Sequence, residues 1–83
     1  MTEAQIRTAL QDCAQRRYCE VYFLDGSRSV FRPTEVRFIT DCWVAIGVEY
    51  YEAMFTDVLA SFRLDEVARV QELLVQPSPV DLD

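Results

Sequence analysis

The chain has no histidine and no lysine, only two glycines and three cysteines, and no long apolar run. Each shortage removes a class of function. Without histidine, the commonest general base and the commonest metal ligand are both missing, and Ser27, Ser29 and Ser61 have no imidazole to activate them. Two glycines cannot build a glycine-rich phosphate loop. Cys13, Cys19 and Cys42 are odd in number and lack CxxC spacing, so they read as buried or idle thiols rather than a disulfide framework or a zinc site. No stretch reaches the roughly 20 apolar residues that cross a bilayer, and Met1-Thr2-Glu3-Ala4 lacks the basic start of a secretory leader. The expectation is a cytoplasmic, non-enzymatic protein with no cofactor, no metal and no membrane partner.

What is present fits one small folded domain. Eighty-three residues bury only about 60% of the open chain's surface, and a 51% hydrophobic, 12% aromatic composition supplies the core that so small a fold needs. Fourteen acids against eight basic residues give a net charge of -6, which opposes broad attraction to nucleic acid or an anionic membrane and suits a basic protein surface. All eight basic residues are arginine. They indicate either a preference for planar, bidentate contacts to carboxylate or phosphate or simply the base composition of the genome.

The periodicity starts helical. Thr2 and Gln5 have capping-box spacing, and Ile6, Ala9, Leu10, Cys13 and Ala14 form one apolar stripe, with an end expected near Arg16-Arg17. From Tyr18 the period becomes two, and Asp25-Gly26 marks a hairpin turn. Parity decides its register. A two-residue loop would bury Arg28 and Arg32 beside Val21 and Phe23. A three-residue loop instead sets Phe31 with the core and leaves both arginines beside Tyr18 and Tyr22, free to pair with Glu20. Pro33-Thr34 interrupts the ladder, as proline does at a strand end or a bulge, with another short strand from Val36 to Thr40. Cys42 to Glu49 is the clearest strand, where Gly47 implies a bend or a close backbone approach. Residues 50–57 are ambiguous between a short helix and a loop or single turn, the last being the reading taken; Val58 to Arg63 reads as a strand, Leu64-Asp65-Glu66 as a turn, and Val67 to Leu73 as a last strand or short helix. The fold class is therefore mainly β with an N-terminal α-helix: a small Sm-like or SH3-like β-barrel of five or six short antiparallel strands. It spans residues 1–75 as one domain, with 76–83 a flexible tail.

Three stretches resemble the WYL domain, a bacterial regulatory module with an Sm-like barrel. They are the opening helix through Ala9 and Leu10 leading into Val21-Tyr22, then Arg32-Pro33 followed by Trp43-Val44-Ala45, then Phe62-Arg63-Leu64-Asp65-Glu66-Val67. The resemblance implies a module that senses a small anionic ligand or nucleic acid through Tyr22, Arg28 or Arg32, Trp43 and Arg63. The chain departs from the family where Val44 replaces a tyrosine and where Ala60 and Glu66 replace arginines. Asp25-Gly26 and Arg63-Leu64-Asp65 are also similar to the Rho-binding antiterminator, a small acidic Sm-like protein. That resemblance implies an adaptor that blocks a basic protein such as an RNA-binding transcription factor. A third possibility is a homo-oligomer formed through edge strands.

Overall fold

The computed structural model describes residues 1–13 and 17–78. An N-terminal helix α1 (Glu3–Cys13) precedes strands β1 (Cys19–Phe23), β2 (Arg28–Ile39), β3 (Cys42–Tyr51) and β4 (Thr56–Arg63). One 3-10 turn (Leu64–Glu66) leads into β5 (Val67–Glu72). The Thr2 hydroxyl accepts from the Gln5 amide at 3.2 Å and the Gln5 side chain accepts from the Thr2 amide at 2.9 Å, so the capping box forms reciprocally. The expected helix end falls partly on residues 14–16, outside the described residues.

The five strands are antiparallel, in the order β4-β3-β2-β1-β5. Pairing stops at β4 and β5, so the sheet is open, and the barrel closure expected from sequence is not formed by the ladder. The sheet nevertheless curls: Phe23 on β1 meets Phe62 on β4 edge to face at 5.1 Å, although β2 and β3 separate their strands. Tyr22 pairs with Arg28 and Cys19 with Phe31, which is the three-residue-loop register. The next hairpin turns on Thr40 and Asp41, both at positive φ (49° and 64°), as a two-residue turn matching strand twist requires.

Pro33 does not end its strand. β2 continues as one long ladder with a bulge between Pro33 and Glu35, because a bulge absorbs the missing donor without breaking the pairing on either side. Gly47 lies opposite Pro33, where an added Cβ would fall 2.2 Å from the Arg32 carbonyl oxygen. The close approach expected of that glycine is present.

Ile6 and Leu10 of α1 cover Cys19, Val21, Phe31, Ala45, Leu64 and Val67, the buried centre of the molecule. The Gln76 side chain accepts from the Tyr18 amide at 2.7 Å and donates to the Tyr18 carbonyl at 3.0 Å, which ties the chain down to at least that residue. Residues 79–83, the rest of the expected tail, lie outside the described residues.

Candidate functional site

Strand alternation divides the candidate residues between two faces. Trp43 pairs with Phe38 and packs toward the core, on the same side as Ala45. It is half-buried, in edge contact with Phe38 at 5.5 Å and beneath the guanidinium of Arg7 on α1 at 4.5 Å. Tyr22, Arg28, Arg32 and Arg63 belong to the outer face. Tyr22 sits opposite Arg28, Arg32 opposite Val48, and Arg63 opposite Val44 at the far end of β3. The structure thus brings Tyr22 and Arg28 together, places Arg32 on the same face four residues further along β2 with Val30 between, and separates both Arg63 and Trp43 from the group.

The arginines of this face are already neutralised. Arg28 pairs with Glu20 at 3.0 Å, and the Tyr22 hydroxyl donates to the same carboxylate. These two donors hold the Glu20 carboxyl below its usual range. Arg32 lies 3.7 Å from Asp57 and over the Tyr18 ring at 5.6 Å, while the Tyr18 hydroxyl donates to Asp57 at 2.7 Å. Burial, then the Asp57 carboxylate, pushes the Tyr18 phenol up. Arg63 is bound by Asp65, Arg37 by Glu35 and Arg17 by Glu72. The remaining described arginines, Arg7 and Arg69, lie over Trp43 and Tyr22. No described arginine points unengaged into solvent. An incoming phosphate would have to displace a carboxylate at every one of the candidate cations.

The acids are less consumed. Among the described residues Glu3, Asp12, Asp25, Asp41, Glu49, Glu52 and Glu66 take no part in an ion pair. Two of them converge at one end of the sheet. The Leu24 amide donates to the Glu66 carbonyl at 2.9 Å, which docks the β1–β2 turn onto the 3-10 turn. Phe23, Leu24, Asp25, Asp65 and Glu66 then line a shallow cleft of about 430 Å³. The Ser27 hydroxyl and amide both donate to Asp25 and hold its carboxyl below the usual range. Leu24 beside it is 70% exposed. An apolar residue rimmed by carboxylates suits the stem and head of a partner's arginine or lysine.

Sequence reasoning anticipated the Glu20–Arg28 pair and missed Asp57, because residues 50–57 offered no decisive period. It also missed Leu24, which an Asp-Gly turn signal marks only as a neighbour. Among the described residues no cluster of metal-ligating side chains occurs, and no helix is long and apolar enough to cross a membrane. No protein-family model, no curated protein and no solved structure matches the chain.

Proposed function

We propose that this chain is a non-enzymatic acidic adaptor that docks on the basic surface of another protein, such as an RNA-binding transcription factor. The observation that carries the reading is the asymmetry of charge use. All seven described arginines are engaged within the fold, whereas seven described carboxylates stand outside ion pairs. The net charge of -6 is therefore presented as acid, with little cation exposed beside it. The cleft at Leu24, Asp25, Asp65 and Glu66 supplies an apolar contact within that field. The similarity of Asp25-Gly26 and Arg63-Leu64-Asp65 to the Rho-binding antiterminator leads to the same class of partner.

The anionic-ligand reading has less behind it. It needs Tyr22, Arg28, Arg32, Trp43 and Arg63 to act together, yet Trp43 lies on the opposite face and each of the three arginines holds a carboxylate. The test is surface-immobilised binding to a purified Rho-type termination factor. Asp25→Arg with Glu66→Arg should slow association at least tenfold at low salt, since rim charges act mainly on the on-rate. Arg28→Ala and Arg32→Ala should leave it within about twofold, the range expected of charges that already hold internal partners. Binding that is lost with the arginines and kept with the reversed acids would sink the proposal.

A further inference from the structure

The two edges of the sheet are built differently. β5 carries Arg69 and Glu72, has a register shift against β1 and packs against α1, all features that blunt an edge. β4 has none of these along its middle. Val58 to Phe62 contain no charge and no proline, and the β3–β4 ladder runs without a bulge. Leu59 is 85% exposed and Val58 42% exposed on a strand paired along one side only. Its other side presents alternate N–H and C=O groups to solvent.

β4 is also complementary to itself. Asp57, Leu59, Ser61 and Arg63 share the outer face, opposite Tyr50, Val48, Ile46 and Val44. If two copies run antiparallel with Ala60 beside Ala60 of the second copy, outer residues meet outer residues. Asp57, which also holds Arg32 of its own chain, then faces Arg63 of the second copy, which also holds its own Asp65, at both ends; Val58 faces Phe62, and the two Leu59 side chains become diagonal neighbours. A slip of two residues toward the C-terminus sets Asp57 against Asp65, and a slip the other way sets Arg63 against Phe55. A slip of one sets outer residues against inner ones. Charge and parity select one register.

We propose that the chain forms a two-fold symmetric dimer by pairing β4 with β4 of a second copy, centred on Ala60. Both sheets become one continuous sheet, and the interface is self-complementary as two-fold symmetry demands.

The test uses the full chain in sedimentation velocity. The wild type should show a species of twice 9.6 kDa. Arg63→Glu, which opposes like charges at both ends, and Leu59→Lys, at a fully solvated position, should each weaken dimerisation at least tenfold while keeping the far-UV circular dichroism of the wild type. In a Cys13→Ser, Cys42→Ser background, Ala60→Cys should oxidise to a covalent dimer and Leu59→Cys should not, because only the centred register brings residues 60 within disulfide reach. A wild type that stays monomeric at high concentration overturns the proposal. So does a dimer indifferent to Arg63→Glu, a cross-link formed through Leu59→Cys instead, or a higher ring-like assembly.

Discussion

Gly47→Ala separates two opposed effects of adding one methyl group. Replacing glycine removes freedom from the unfolded chain and stabilises by about 0.4–1 kcal/mol where the backbone and the space permit it. At residue 47 the space does not permit it. The new Cβ would lie 2.2 Å from the Arg32 carbonyl oxygen and 2.9 Å from both Phe31 Cζ and Pro33 Cα. Two of those three atoms are backbone, so no rotamer change relieves the overlap, and β2 and β3 must part by roughly 1 Å around the Pro33 bulge. A gap of 0.5–1 Å forfeits about a quarter to a half of each dispersion contact along the seam, and overpacking typically costs about 1–3 kcal/mol. The cost outweighs the gain, for a net loss of about 2 kcal/mol. In a domain of this size that lowers the melting midpoint by about 8–16 °C. Gly26→Ala is the internal control: it meets nothing within 4 Å, and only its φ of +91° opposes the change, so its cost should stay near 1 kcal/mol. Thermal melts followed by circular dichroism compare the two. A Gly47→Ala protein that melts at or above the wild-type temperature, or above Gly26→Ala, would refute the close-approach argument.

Leu10→Ala should cost about 3–4 kcal/mol in urea melts, because Leu10 is completely buried between α1 and the sheet and a cavity penalty adds to the lost transfer energy; a loss under half a kcal/mol would mean that α1 is undocked. Truncation after Val75 should lower the midpoint by an amount equivalent to about 1–2 kcal/mol, since it leaves the Tyr18 amide without its Gln76 partner, whereas truncation after Gln76 should be nearly silent. The lowered Glu20 carboxyl predicts an acid effect with a definite sign. The folded state binds that proton less readily than the unfolded chain, whose glutamates titrate near about 4.3, so the contribution is complete above that pH and fades as pH falls through the lowered value. Glu20→Gln should therefore be less stable than the wild type at pH 7 and converge with it in acid, as pH falls below the lowered value; an offset that stays constant from pH 7 into acid would contradict the assignment.

Much of this architecture could be read from parity and turn chemistry. The capping box, the Asp25-Gly26 hairpin and the burial of Phe31 follow from local rules, since the opposite parity would bury Arg28 and Arg32. Strand ends were less legible where local and tertiary preferences diverge. Pro33 marks a strand end or a bulge to a local rule, and only pairing with β3 on both sides decides for the bulge. Gln76 looked like the start of a polar tail because its partner, the Tyr18 backbone, is 58 residues away in sequence. The candidate site was harder still. The resemblance to the WYL domain implied that tyrosine, tryptophan and arginine would gather. Which face Trp43 occupies depends on the register of β3 against a bulged β2, and whether Arg32 is available depends on Asp57, two strands away.

The sign of the charge that this surface attracts is the most direct test of the adaptor account. Fluorescence anisotropy of the labelled full chain at low salt can be titrated in parallel with a short single-stranded RNA and with an arginine-rich peptide of equal length. The account predicts binding to the peptide, weakened by added salt and by Asp25→Arg with Glu66→Arg, and no saturable binding to the RNA. Saturable RNA binding that Arg32→Ala abolishes, with no response to the peptide, would contradict it.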